Sequence, residues 1–220
     1  MTELALLKMA HILGLVYWLG GDLGVFYSSF FVADEKRSPE TRIAAAKILF
    51  TLDLAPRICM TLMLPTGIHL AHMMGKLKVP EMVVYASWAI CLAWLTLVLV
   101  LHFASHGRDL RILTKIDFRF RIAMVLALIA FALYTLLSPD RILTDWLAYK
   151  TIVFACMVFF GLMIRLKLRA FTPAFKKLVE GTFSASDSRQ VGQTLVSTRP
   201  FVFAIWIGIL LNTAWSVRLI

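Results

Sequence analysis

Polar side chains capable of redox or proton chemistry stand inside the first apolar run of the chain, roughly residues 4–32. On a helix of about 3.6 residues per turn, one line along the surface collects His11, Trp18, Asp22, Val25 and Ser29. A histidine and a carboxylate are costly in hydrocarbon. We therefore expect this face to meet other protein, a cavity or a cofactor rather than lipid.

His11 is the leading candidate for binding a cofactor. A porphyrin needs an axial nitrogen and room to lie flat, and Gly14 and Gly21 flank the line that His11 shares with Trp18. The spacing therefore favours haem ligation by His11, with Trp18 and Gly21 beside the ring. A hydrogen-bonded histidine near a helix end is the alternative.

Asp22 lies deeper in the same run, and two roles are open for it. It could relay protons, because a redox site that acts on two-electron substrates must also move protons. It could instead be a structural partner of a residue such as Arg57. Asp53 and Arg57 are four residues apart and are expected to pair along one helix face.

The second apolar run contains His69 and His72, three residues apart. Four methionines stand nearby: Met60, Met63, Met73 and Met74. Histidine with thioether is a soft ligand set that suits Cu(I), whereas either histidine could instead bind haem iron or a propionate, and methionine is also ordinary packing material. Copper, haem and a structural role therefore stay open. His102 and His106 share a helix face without a companion carboxylate or cysteine, so we expect them at a membrane interface.

The elements that must position these residues are membrane helices. The chain has 220 residues, is 60% hydrophobic and 16% charged, and has a mean hydropathy of +0.80, whereas soluble domains are about 45–50% apolar and about 25% charged. This composition predicts an all-α, polytopic membrane bundle in which the first run is a retained helix. Cys59, Cys91 and Cys156 stand singly in apolar runs, which predicts free thiols.

We predict one integral membrane domain, residues 1–220, with six spans of about 20 apolar residues or more. The predicted spans are 4–32, 47–74, 82–105, 119–137, 143–166 and 200–218. A linker over about 167–198, with a short amphipathic helix near 173–179, is expected between the last two spans.

The net charge of +10 is concentrated between the spans, which excludes a nucleic-acid-binding surface and indicates topology instead. The first loop carries Lys36, Arg37 and Arg42, the third Arg108, Arg111, Lys115, Arg119 and Arg121, and the fifth Arg165, Lys167, Arg169, Lys176, Lys177 and Arg189. These odd loops are expected in the cytoplasm, which places both termini on the outer, periplasmic side of a bacterial inner membrane. His11, His69, His72, Lys150 and Asn212 then fall near the outer face.

The first span resembles the opening helix of the HemJ-type protoporphyrinogen oxidases. It reads LKMAHILG from Leu7, with Trp18 and Gly21 following the histidine at +7 and +10. The segments APRICMTLMLPTG (55–67) and DWLAYK (145–150) and the final Arg-Pro-Phe helix are similar to later elements of that family, into which two further helices are here inserted. The fold is also similar, more loosely, to CopD-like copper-resistance membrane proteins.

The resemblance implies a haem b site that includes His11 and Lys150. It implies an oxidoreductase or electron-transfer protein, acting on a porphyrinogen-type substrate and passing electrons to quinone or a redox partner protein. Lys150 is then a catalytic candidate, together with Asp22, whose proton role is suggested by its position in the first run. Copper handling through His69 and His72 is one alternative, and a non-catalytic membrane subunit is another. We expect membrane lipid to surround the helices, and the protein to be compatible with forming a homo-oligomer.

Overall fold

Helices make up nearly all of the computed structural model, which describes residues 2–104, 110–139 and 142–217. Within these ranges the helices are α1 (Glu3–Ala33), α2 (Pro39–Leu52), α3 (Leu54–Met73), α4 (Glu81–Phe103), α5 (Arg111–Leu137), α6 (Asp145–Lys167), α7 (Phe171–Val179) and α8 (Ala185–Ser216).

Six segments are long and apolar enough to cross a membrane: α1, α2 with α3, α4, α5, α6 and α8. Even α4, with 23 residues, is about 34 Å long and exceeds a hydrocarbon core of about 30 Å. Large apolar side chains such as Ile12, Tyr27 and Leu126 are exposed on the outside of the bundle, where lipid would cover them. The predicted all-α bundle is confirmed, and the six apolar helices indicate an integral membrane protein.

The six spans form a closed ring. Around it, α1 packs against α3, α3 against α4, α4 against α5, α5 against α6, α6 against α8, and α8 against α1. Side chains from all six spans meet inside the ring, including Trp18, Cys59, Trp94, Met124, Phe154 and Ile205. The ring has two ends, which we call the His11 end, where α1 begins, and the basic end, where α1 finishes at Ala33.

Glycines set the close approach of α1 to the following helices. A Cβ added at Gly21 would lie 2.6 Å from Cδ of Pro56, and one at Gly24 would lie 2.6 Å from Cδ1 of Leu52. The Pro56 ring cannot move aside easily, so position 21 needs glycine, whereas at position 24 the end of the Leu52 side chain would have to shift. Small residues at a helix interface are how membrane helices pack closely.

At the His11 end, the loop between α3 and α4 pairs with the loop between α5 and α6. The amide of Lys78 donates to the carbonyl of Ile142 at 2.9 Å, and the amide of Thr144 donates to the carbonyl of Lys76 at 3.3 Å. Leu77 and Leu143 are buried beneath this pairing. The two short loops therefore close the bundle at this end.

Three predicted boundaries are wrong. The second span begins at Pro39 rather than 47 and is interrupted at Asp53, the fourth begins at Arg111 rather than 119, and the last begins at Ala185 rather than 200. In each case the helix begins in a charged or polar stretch that hydropathy assigns to a loop. A capping box between Ser184 and Asp187 starts α8.

The predicted linker over 167–198 is therefore mostly helical. It contains α7, close to the amphipathic helix expected near 173–179, and the first turns of α8. These turns and α7 bury Phe171, Val191 and Leu195 against Val32 and Ala46. An apolar cluster, rather than membrane, explains why this polar segment is helical.

Arg42 belongs to this cluster and not to a loop. It lies in α2 and is buried, and its side chain donates to the carbonyl of Val32 and to Oγ of Ser188, both at 2.9 Å. The residue therefore joins the end of α1, α2 and the start of α8.

Candidate functional site

The structure pairs His11 of α1 with Thr66 of α3. Nδ1 of His11 lies 2.8 Å from Oγ1 of Thr66. The Thr66 hydroxyl also lies 2.7 Å from the carbonyl of Leu62, which can only accept. Because a hydroxyl has one hydrogen to donate, Thr66 donates to Leu62 and accepts from a protonated Nδ1 of His11. The lone pair of the imidazole is then on Nε2, the arrangement found in metal-binding histidines.

Other predicted ligands lie at the same end of the bundle. Lys150 of α6 donates from Nζ to Oγ of Ser216 at 2.5 Å, and its ammonium lies 5.5 Å from the centre of the Trp146 ring. Lys150 lies in the second turn of α6, which begins at this end of the bundle, as α1 does with His11. The structure thus places the two residues of the expected haem site, His11 and Lys150, at the same end of the bundle.

The second-span histidines differ in their surroundings. Nε2 of His69 lies 3.9 Å from the carboxylate of Glu3. Nδ1 of His72 is buried without a hydrogen-bond partner among the described residues, and the same is true of Oδ1 of Asn212 on α8. Oγ1 of Thr144, in the loop before α6, is a third such atom at this end. A bound ligand or water would satisfy atoms of this kind.

The glycines and tryptophan expected beside a flat cofactor are covered by protein. A Cβ at Gly14 would lie 2.9 Å from the sulfur of Met63, and the space beside Gly21 is filled by Pro56. Trp18 is buried in the core, with its ring 6.2 Å from that of Phe154. A haem bound by His11 would therefore have to lie away from the glycine side of α1.

The donors at the His11 end nevertheless fit a haem. An unprotonated imidazole nitrogen is a common axial ligand, and a lysine cation suits the propionates. Copper has less support. Met73 and Met74 beside His72 are exposed, and across residues 2–104, 110–139 and 142–217 no three His, Cys, Asp or Glu side chains are grouped closely enough to hold a metal ion, so a copper site here would depend on methionine sulfur.

Asp22 lies at some distance from this site. It is about 16 Å further along α1 than His11 at ~1.5 Å per residue. The predicted pair of Asp53 with Arg57 is confirmed, so the partner of Arg57 is Asp53. Asp22 lines a cavity and forms no ion pair with any residue that the structure describes.

That cavity has a volume of about 480 Å³ and lies at the basic end. Its wall includes seven cationic side chains: Arg57, Lys115, Arg119, Arg121, Arg165, Arg169 and Arg199. Asp22 and Asp53 are its two acids, and aromatic side chains such as Phe26, Phe118 and Phe171 supply much of the rest. Ligand pockets in proteins commonly measure about 300–1,000 Å³.

A buried charge network stands behind this cavity. The fully buried carboxylate of Asp117 accepts hydrogen bonds from Nε1 of Trp94 at 3.1 Å, from Nε of Arg121 at 3.0 Å, and from Nη1 of Arg165. It thereby joins α4, α5 and α6. Nη1 of Arg121 also lies 3.7 Å from the sulfur of Met60.

Sequence reasoning missed this network because it placed Arg121 and Arg165 in loops. The signal that could have revealed it is the spacing of Asp117 and Arg121, four residues apart, which is typical of an ion pair on a helix. Paired charges within a membrane helix indicate a buried face.

The remaining candidates lie apart from both sites. His102 is in the last turn of α4 near the basic end, and its ring contacts Phe103; His106 lies outside the described residues. Cys59 and Cys91 are buried free thiols, and Cys156 is a half-buried one. Comparisons with protein-family models, with curated proteins and with solved structures found no match for this chain.

Proposed function

We propose that this protein binds haem b at the His11 end and acts as a membrane oxidoreductase or electron-transfer protein. The observation that carries the proposal is the hydrogen bond from Nδ1 of His11 to Thr66, which leaves Nε2 unprotonated. Haem, when bound, would supply one-electron redox chemistry.

Each residue near His11 has a distinct part in the proposal. Thr66 fixes the orientation and tautomer of the imidazole, as second partners of ligating histidines do. Lys150 would neutralise a propionate, for which its ammonium has the right charge. His72, with its buried and unpartnered Nδ1, would be the second ligand or a further propionate partner; His69 is the other candidate for that place.

Proton movement is assigned to the opposite end. Asp22 lines the cavity there and forms no ion pair with another described residue, so a proton can be exchanged without breaking such a pair. We infer a porphyrinogen-type reductant as substrate and a quinone or a redox partner protein as electron acceptor. The loop charges support a bacterial inner membrane with both termini outside, and a homo-oligomer is compatible with this assignment.

An absorption spectrum of the purified full-length protein tests the proposal. The protein is produced with adequate haem supply and measured oxidised and after reduction with dithionite. We expect a Soret band and reduced-minus-oxidised bands of haem b. His11→Ala should deplete or shift them, whereas His102→Ala, a histidine change at the opposite end, should not.

Three other results would count against the proposal. A colourless, metal-free preparation would indicate a non-catalytic subunit. Bound copper without a Soret band, lost on His69→Ala or His72→Ala, would indicate copper handling. A haem spectrum unchanged by His11→Ala would remove His11 from the site.

A further inference from the structure

We propose that the cavity at the basic end binds the headgroup of an anionic membrane phospholipid. This site is separate from the one at His11, and the proposal does not depend on haem. It rests on the charge balance of the cavity wall, on the position of the cavity among the membrane spans, and on the mixture of arginine and aromatic side chains that line it.

The charge balance leaves an excess of cations. Arg57 is paired with Asp53, and Arg121 and Arg165 share Asp117. Four further cations of the wall have no carboxylate partner within the described part of the chain: Lys115, Arg119, Arg169 and Arg199. Even when ionised, Asp22, the other acid of the wall, would offset only one of these charges. An anion in the cavity would neutralise the positive charge that remains.

Arg199 gives the clearest sign of a missing partner. Its Nε atom is buried and has no hydrogen-bond partner among the described residues, while its guanidinium lies 4.2 Å from the centre of the Phe30 ring. Buried donors of this kind are nearly always satisfied by protein, water or a ligand. Arg169 is similar in that its guanidinium is over an aromatic ring, that of Phe118, at 5.8 Å.

Position favours lipid over a soluble anion. The cavity lies at the basic end, and residues of α1, α2, α3, α5, α6, α7 and α8 together with Asp53 form its wall. Phospholipid phosphates are the anions present in quantity at that depth, and basic pockets between membrane helices are typical sites for acidic headgroups. Apolar wall residues such as Val25, Phe26 and Leu168 would contact the start of the acyl chains.

The chemistry also favours a particular class of lipid. The planar guanidinium matches two phosphate oxygens at once, which makes arginine the usual partner of phosphate. A zwitterionic headgroup would bring its own cation against Lys115 and the arginines. The cavity should therefore select an anionic headgroup, such as phosphatidylglycerol, over phosphatidylcholine.

The test uses purified full-length protein in a neutral detergent, with bound lipid measured by native mass spectrometry after titration. We expect phosphatidylglycerol to be retained at least tenfold more strongly than phosphatidylcholine of the same chains. Arg169→Gln with Arg199→Gln should weaken this retention at least tenfold. Lys115→Gln with Arg119→Gln, both at exposed positions, provides a second variant that should also weaken it if the first does not fold.

The matched control is Lys47→Gln with Arg189→Gln, which removes the same charge from two exposed residues outside the cavity wall. It should retain phosphatidylglycerol as the unaltered protein does. Equal retention of the two lipids, or equal losses in control and cavity variants, would overturn the proposal. Inorganic phosphate or glycerol 3-phosphate displacing the lipid at similar concentration would assign the cavity to a soluble phosphate and overturn the lipid assignment.

Discussion

Nδ1 of His11 lies 2.8 Å from the hydroxyl of Thr66, and this contact joins the first two spans of the ring. Thr66→Val keeps the shape of the side chain and removes the acceptor. Because partners of this kind set ligand orientation, we expect haem affinity to fall by about 10–100-fold, measured by haem titration of the apoprotein.

Thr61→Val is the matched control for that change. Thr61 is also buried on α3, but among the described residues its hydroxyl bonds to the carbonyl of Ile58 in its own helix and to no other span. It should bind haem normally. Equal affinities in the two valine variants would mean that the hydroxyl of Thr66 does not support the ligand.

Asp117→Asn should destabilise the protein strongly. The change leaves the buried Arg121 and the half-buried Arg165 side by side without a counter-charge, and breaking a buried charge pair by removing one partner costs about 3–5 kcal/mol. Unfolding in detergent, followed by circular dichroism, measures the loss. Asp34→Asn, which removes an exposed pair with Arg37, should cost no more than about 1 kcal/mol; similar costs for both would contradict a central role for Asp117.

Replacing two adjacent glycines of α1 by alanine should have opposite effects on the stability of the protein. At Gly21 the new Cβ meets the Pro56 ring at 2.6 Å, and at Gly20 it meets nothing within 4 Å. Gly21→Ala should lower the free energy of unfolding by about 1–3 kcal/mol through overpacking. Gly20→Ala should be neutral or stabilising, because alanine favours a helix; a drop like that of Gly21→Ala would refute the packing described for α1.

Topology can be measured with single cysteines and a membrane-impermeant maleimide on intact cells. Positive charge in the odd loops predicts that Thr2→Cys reacts from outside and that Lys36→Cys reacts only after permeabilisation. Cys59, Cys91 and Cys156 are first replaced to remove background. Labelling of Lys36→Cys alone in intact cells would reverse the predicted orientation.

Hydropathy predicted the spans that are apolar from end to end. The limits of α1, α4 and α6 differ from the predicted limits by no more than about two residues, within the usual disagreement over helix ends. It failed where a helix begins in charged sequence, as α5 does at Arg111, because burial of those charges depends on partners in other helices. From the sequence alone, Arg121 resembles a loop residue. Its place inside the bundle follows only from its contact with Asp117, which also pairs with Arg165 from another helix.

The site around His11 was also only partly predictable from sequence, because its partners come from other helices. Spacing identified His11 as a polar residue that should face protein, but no pattern within α1 could indicate Thr66, which comes from another span. A glycine in a helix sequence is ambiguous, because it can leave room either for a flat cofactor or for a closely packed neighbouring helix. At Gly14 and Gly21 the neighbouring helix fills the space.

The bond between Arg42 and Ser188 spans 146 positions of the chain, and this separation has a consequence for biogenesis. During synthesis, Arg42 cannot form its hydrogen bond to Ser188 until the five preceding spans have been made. The amino-terminal third therefore cannot complete its assembly while the translocon still holds the carboxyl-terminal part. A nascent chain released before Ser188 would carry an unfinished surface at the end of α1, which quality-control proteases could recognise.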